Sequence, residues 1–308
     1  MEGDVPETPT HPSIPRRARA VIAAAIAIGL GGAELPGRPA ATGGLLGGSA
    51  ARADPRAQAA PAPEPESERE GARAGEESSV PAEPWSQELV RLPVQLLQQR
   101  RTVEARRLLE PVVAEHPEWP EASFFLGLTY HFEQRYERSS ELFERALELD
   151  PELDTPWVFY GWASYYLGRT DIAREAFDAF LAARPEHPEA LYGLGLLDFD
   201  EDDIEAAESR FRRVIELAVE QGNAPTEAKA RARLADVLIR TGDLSGAKEQ
   251  LEASIELNPN NYEPYFKLSR VLQRLGDAAG AEAARRKHDE IRDRVLAGQR
   301  PPADGGTR

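Results

Sequence analysis

The apolar residues between Pro120 and His187 fall into one order twice over. Written from Pro120 and from Asp154, two stretches of 34 residues set Leu126-Gly127 against Tyr160-Gly161, Ser139 against Ala173, Phe143 against Phe177 and Pro151 against Pro185. Helix-spaced apolar positions, a small residue after a bulky one and a closing proline predict two helices joined by a turn. A fixed period of this length predicts a stack of such pairs.

The frame extends both ways. Backwards it gives a unit at 86–119, with Leu92 and Leu96 in its first helix, Ala105, Leu109 and Val112 in its second, and Pro117 closing it. Pro93 and Pro111 fall at helical positions; each removes a backbone donor, which predicts a kink and an irregular first unit. Forwards, unit 188–221 carries Leu191, Leu194-Gly195, Ala207, Phe211 and Val214, but Val219 stands where the proline belongs. Its second helix is expected to run to about Glu220, where the sequence Gln221 to Pro225 breaks it and six residues, 222–227, are inserted. Unit 228–261 has Leu234-Ala235, Leu238, Gly242, Ala247, Leu251 and Pro259, and unit 262–295 has Tyr265, Leu268-Ser269, Leu272, Gly276 and Ala281. Arg285 and His288 occupy positions that are apolar earlier, so the last helix reads as a charged amphipath to Leu296 that suits a solvated cap. Residues 299–308 read as a disordered tail.

Helices of about 12–14 residues are marginal alone in water, so packing must hold them. Gly127, Gly161, Gly195, Ala235 and Ser269 let paired helices approach, Ala173, Ala207, Ala247 and Ala281 serve the same contact from the other side, and Phe143, Phe177, Phe211 and Leu251 fill the junctions.

This pattern resembles the tetratricopeptide repeat family. The likeness covers 86 to about 295 in six units and is clearest in the third, where Trp157, Tyr160-Gly161, Gly168, Ala173, Phe177 and Pro185 stand at signature positions. It implies an all-α, right-handed α-solenoid of about six helix-turn-helix (TPR-like) repeats, preceded by a disordered N-terminal region. It further implies a concave groove lined by the first helix of each unit. Carried over position by position, the groove residues are Phe124, Leu128, His131 and Phe132; Val158, Trp162, Tyr165 and Tyr166; Tyr192, Leu196 and Phe199; Lys229, Asp236, Ile239 and Arg240; and Phe266, Arg270, Gln273 and Arg274. Such a groove is aromatic in the middle and basic at its C-terminal end, which suits a peptide or protein segment whose acidic groups meet Arg240, Arg270 and Arg274. The competing reading is that several of these aromatics pack inside the solenoid.

The first 84 residues change the picture. They are rich in Ala, Pro, Gly, Glu and Arg, and the first of four tryptophans is Trp85. Arg16, Arg17 and Arg19 precede an apolar run, Ala20 to Ala33, shorter than the roughly 20 residues a membrane helix needs. With a small-x-small site at Ala51-Arg52-Ala53, residues 1–53 read as a signal-peptide-like or membrane-tethering segment, pointing to the cell envelope; the alternative is an Ala-rich tail on a cytoplasmic adaptor. Residues 54–85 read as a disordered Pro/Ala/Glu-rich linker.

Net charge is −16, against a general nucleic-acid binder. Residues 86–227 carry 29 acids and 14 bases, residues 228–295 carry 11 acids and 13 bases, so the array is lopsided. That asymmetry either steers a polar partner or only solvates exposed helix faces. There is no cysteine, which removes disulfides and thiol nucleophiles. The five histidines have no metal-binding spacing, and no nucleophile elbow or phosphate loop occurs. The acidic run Asp198 to Asp203 lacks the glycine at position six and has Ser209 where a calcium loop needs glutamate. No cofactor or metal is therefore expected. The function expected is a non-enzymatic interaction scaffold for a protein or peptide; the alternative is a self-assembling structural solenoid.

Overall fold

Six helix pairs follow one another along the chain. The computed structural model describes residues 85–299; the signal-like segment, nearly all of the linker and nearly all of the tail lie outside the described residues. The pairs are α1 (Trp85–Gln98) with α2 (Thr102–Glu115), α3 (Pro120–Phe132) with α4 (Tyr136–Leu149), α5 (Thr155–Tyr166) with α6 (Thr170–Ala183), α7 (Pro188–Asp200) with α8 (Ile204–Glu220), α9 (Ala224–Thr241) with α10 (Leu244–Leu257), and α11 (Glu263–Arg274) with α12 (Ala278–Gln299). Each helix packs on the next in sequence, and from α1 to α9 the first helix of each pair also touches that of the next. One continuous core runs from Val90 to Ala284 through these neighbour contacts, which is the energetic logic of an α-solenoid.

The turn inside each pair repeats in detail. Arg100, Gln134, Gly168, Asp202, Gly242 and Gly276 all have positive φ, between 60° and 89°, and all stand fifteenth in their units. In five units the next residue donates its N–H back to the carbonyl five residues before it, as Arg135 does to Tyr130 and Asp277 to Leu272, satisfying an otherwise orphaned helix end. The following helices start differently. Asp203, Asp243 and Asp277 accept a backbone N–H three residues on, from Ala206, Gly246 and Gly280, whereas Arg101, Arg135 and Arg169 provide no side-chain cap. Prolines sit in the first turn of five first helices, where a missing N–H costs nothing.

Three local expectations are refined. α1 and α2 each run through their proline, Pro93 or Pro111. The carbonyls those prolines leave unbonded belong to Leu89 and Arg107, both exposed, where water can take them. α8 ends at Glu220 as expected, but the insertion is not a loop: Asn223 caps the N–H of Thr226, and residues 224–227 become the first turn of a lengthened α9. The last helix continues unbroken to Gln299.

Candidate functional site

Most of the aromatic residues expected in the groove are not at a surface. Phe124, Leu128, His131, Val158, Trp162, Tyr165, Tyr192 and Leu196 are all buried. They pack between successive pairs: Phe124 lies 5.9 Å from Phe159 and 6.0 Å from Phe143, and Trp162 meets Phe177 edge-on at 5.3 Å. The expectation of an open aromatic groove is corrected here, because α3, α5 and α7 are predominantly apolar and bury most of their residues between neighbouring helices. Phe132, Tyr166 and Phe199 remain half-buried, and Arg240, Arg270 and Arg274 are exposed. Tyr166 stacks on Tyr136 with centroids 4.5 Å apart, and burial raises its phenol's pKa.

Seven of the expected residues meet in one place. Phe199 of α7, Arg240 of α9, and Arg270 and Arg274 of α11 line a cleft of about 400 Å³, together with Asp236, Ile239, Phe266, Lys267 and Val271. Asp236, Ile239 and Phe266 were also expected; Lys267 and Val271 were not, because they stand sixth and tenth in their unit, off the carried-over positions. Phe199, Ile239, Phe266 and Val271 make the apolar part. Phe266 is 42% exposed, an unusual place for a large aromatic.

The cations of the cleft differ in how they are held. The Arg240 guanidinium lies 5.6 Å from the Phe199 ring centre and donates to Asp202 at 2.6 Å. The Lys267 ammonium donates to Asp236 at 2.7 Å, and Arg233 shares that carboxylate at 3.3 Å. Arg270 and Arg274 stand one helical turn apart and have no ion-pair partner among the described residues. The cleft can therefore bury an apolar side chain while offering two uncommitted guanidinium groups to carboxylates.

Other buried polar groups serve the stack. Asp198 is almost fully covered and lies between Arg174 at 2.9 Å and Arg210 at 2.5 Å, tying α7 to α6 and α8. Glu189 is buried with Lys229 3.9 Å away, and burial pushes its carboxyl above the usual range. His131 is enclosed by Phe132, Tyr136, Phe143, Phe159 and Tyr166; burial pushes its pKa down to about 4. His187 sits against Phe180 and is also lowered to about 4, by burial and then by Arg184. Among the described residues no group of three or more metal-ligating side chains comes together, and no helix is long and apolar enough to cross a membrane.

Comparison with known proteins bears on this geometry. Tetratricopeptide repeat models match residues 95–154 and 161–228, residues 228–261 and residues 251–283. A curated relative, the CTR9 homolog of Arabidopsis thaliana, is 28% identical over 186 residues, which is 48% of this chain and 17% of that protein. The chain thus spans less than a fifth of that relative's length. Among solved structures, the Cut9-Hcn1 hetero-tetramer of the APC/C superposes with a TM-score of 0.60 at 19% identity, over 66% of this chain and 39% of the other. The Pseudomonas aeruginosa pilF structure superposes with a TM-score of 0.56 at 17% identity, over 69% of this chain and 96% of the other. At these identities the structures share the fold.

Proposed function

This chain belongs to the tetratricopeptide repeat family, an architecture typical of protein–protein interaction, and from that premise we propose that it is a non-enzymatic scaffold that holds an acidic peptide or protein segment in the cleft between α7, α9 and α11. The observation that carries this reading is the pair Arg270 and Arg274, unpaired and one turn apart, beside the half-exposed ring of Phe266. Exposed arginine–carboxylate pairs contribute up to about 1 kcal/mol each, and covering an aromatic ring adds area-driven affinity. The field of the array supports the orientation: an acidic segment is repelled by 86–227 and drawn to the C-terminal end. A neighbour of the same fold, Cut9, forms a hetero-tetramer with Hcn1, which fits use as a scaffold. The basic and apolar sequence from Arg16 to Ala33 supports, in this reading, a site of action at the cell envelope or on a membrane tether.

The test is affinity capture with the full chain against Arg270→Gln/Arg274→Gln and Phe266→Ala variants. These side chains are exposed, so the variants fold; replacing the buried Trp162 or Tyr165 would confuse binding with stability. A partner whose acidic segment is retained by the parent and released by both variants supports the cleft. Identical partners on all three proteins sink it. The rival reading, a self-assembling solenoid, draws on Leu89 and Leu92, which leave apolar surface open on α1. A mass by light scattering that is independent of concentration removes it.

A further inference from the structure

One contact recurs where successive units meet. The fifth and twenty-fourth positions of a unit lie together, as Phe124 and Phe143 do at 6.0 Å and Tyr192 and Phe211 at 5.7 Å. The ninth joins them, as Trp162 meets Phe177 at 5.3 Å. The sixth residue of the next unit's first helix settles onto this group, and its chemistry matches what it meets. Phe159 lies 5.9 Å from Phe124 and 6.0 Å from Phe143. Gly193 makes room for the Phe177 ring. Arg233 donates to the Tyr192 hydroxyl at 3.4 Å, and Lys267 donates to Asp236 at 2.7 Å. The seventh residue is large and apolar, at most 9% exposed from the second unit on, whereas Leu92, with no described helix before it, is 52% exposed. The unit before therefore covers the seventh residue as well.

In the last unit the fifth, ninth and twenty-fourth positions hold Phe266, Arg270 and Arg285. All three are exposed, and no described helix follows α12 to cover them. The other arginines and the lysine of α12 each have a carboxylate partner: Arg286, Lys287, Arg292 and Arg294 pair with Glu282, Glu290, Asp293 and Glu290. Arg285 has none among the described residues. The Phe266 ring is backed by His288 at 5.5 Å, so it is held at this face. Two guanidinium groups beside one exposed ring match a carboxylate next to an apolar side chain.

We infer that this end face of α11 and α12 docks an amphipathic helix of a partner protein, seated as the first helix of a further unit would be. The helix carries Glu or Asp at the sixth position, over Arg270 and Arg285, followed by a large apolar residue. A second copy of this chain is refused, because its first helix brings Arg91 to the sixth position and sets a third cation against the other two. The inference goes beyond the cleft reading. Phe266 and Arg270 stand on the edge that the two surfaces share, whereas Arg285 lies outside the cleft's lining.

The probe is a dye-labelled, Ala-rich helical peptide of about 16 residues with Glu and Leu at its sixth and seventh positions; its control has Lys in place of Glu. Fluorescence anisotropy with the full chain at about 0.05 M salt should show the Glu peptide binding at least about ten-fold more tightly than the Lys peptide. Arg285→Gln should weaken the Glu peptide about three-fold or more, and Arg285→Glu should reverse the preference, which only a folded end face can do. Arg240→Gln, on the far wall of the cleft, should leave binding unchanged. Equal affinity for the two peptides, or no binding of either, overturns the inference. Binding that needs Arg240 and Arg274 but ignores Arg285 also overturns it and leaves the cleft reading standing. A mass by light scattering that rises with concentration in the parent but not in Arg285→Gln would put a second copy on this face and overturn it too. If Arg285 governs the peptide while captured acidic partners ignore Arg274, the cleft reading fails and the end face stands.

Discussion

Gly193 presses its α-carbon onto the ring of Phe177 in the preceding unit: a Cβ on Gly193 would stand 2.5 Å from Phe177 Cζ. Gly161 lies against the same ring, and its added Cβ would stand 2.7 Å from Phe177 Cδ1. Phe177 is fully buried, and Trp162 blocks its edge at 5.3 Å, so the ring has nowhere to retreat. Gly193→Ala should gain up to about 1 kcal/mol in helix propensity. It should lose about 1–3 kcal/mol to overpacking, for a net loss of stability. Gly161→Leu should go further and uncouple the middle of the array. Urea melts followed by circular dichroism check both; a stabilised Gly193→Ala protein would show that the ring is free to move.

A second relationship is set by backbone shape. Gln134 holds φ at 60° in the turn position that Gly168, Gly242 and Gly276 fill in other units. A side chain in this region costs about 1–2 kcal/mol relative to glycine, because its Cβ crowds the carbonyl oxygen. Gln134 is exposed, so little packing is lost with its side chain. Gln134→Gly is therefore expected to stabilise the protein by about 1 kcal/mol, read as a rise in the urea midpoint with an unchanged slope.

These two cases show where the sequence is legible. The spacing of Gly127, Gly161 and Gly195 with Phe143, Phe177 and Phe211 is periodic, so it sets the register of every pair. Gly193 is the one glycine at its position: the sixth position of the other units holds Arg91, Phe125, Phe159, Arg233 and Lys267. Nothing local says that the ring of the unit before needs that space. Arg100, Gln134 and Asp202 adopt the turn conformation through the helix-end hydrogen bonds around them, which leaves no compositional mark. The groove divides in the same way. α11 has one apolar stripe, so Phe266, Arg270 and Arg274 read correctly as outward-facing, whereas α3, α5 and α7 carry no polar face to distinguish groove from interior.

His131 makes the array sensitive to acid. In the unfolded chain an imidazole takes its proton near pH 6.5; in the folded protein burial lowers the value to about 4. Between those values the unfolded state binds more protons, so the contribution is fully present above pH 6.5 and is lost as pH falls towards 4. The loss is roughly 3 kcal/mol at its largest. Tyr165, Phe199 and Ile239 occupy the equivalent position in the next three units, so an apolar side chain fits there. His131→Phe should be more stable than the parent at pH 5 and should flatten the stability profile over this window. An unchanged slope would mean that other groups set it.

Asp198 tests whether neighbouring pairs are tied by charge as well as by apolar contact. Its side chain is 3% exposed, while Arg174 and Arg210 are each 30% exposed. Removing the carboxylate leaves two guanidinium groups that can still reach water, so Asp198→Ala should cost about 1–3 kcal/mol rather than the full penalty of a stranded buried ion. Adding Arg174→Ala to Asp198→Ala should cost less than the two single changes added together. Additive losses would show that the pair is not coupled.

Asp202 governs how much of the cleft's charge is available. It accepts from Arg240 at 2.6 Å, holding that guanidinium over Phe199 and away from a ligand. Both partners are at least half exposed, so the pair itself contributes at most about 1 kcal/mol to stability. Asp202 also has φ of 69°, a conformation asparagine tolerates well, so Asp202→Asn should leave the fold intact. The variant removes one competing carboxylate and frees Arg240 to join Arg270 and Arg274. Binding of a short synthetic glutamate-rich peptide, followed by fluorescence anisotropy, should tighten about two- to five-fold, with a steeper dependence on salt because one more cation takes part. The gain should vanish when Arg240→Gln is added. Weaker binding by Asp202→Asn would mean that Asp202 positions Arg240 for the ligand instead of withholding it.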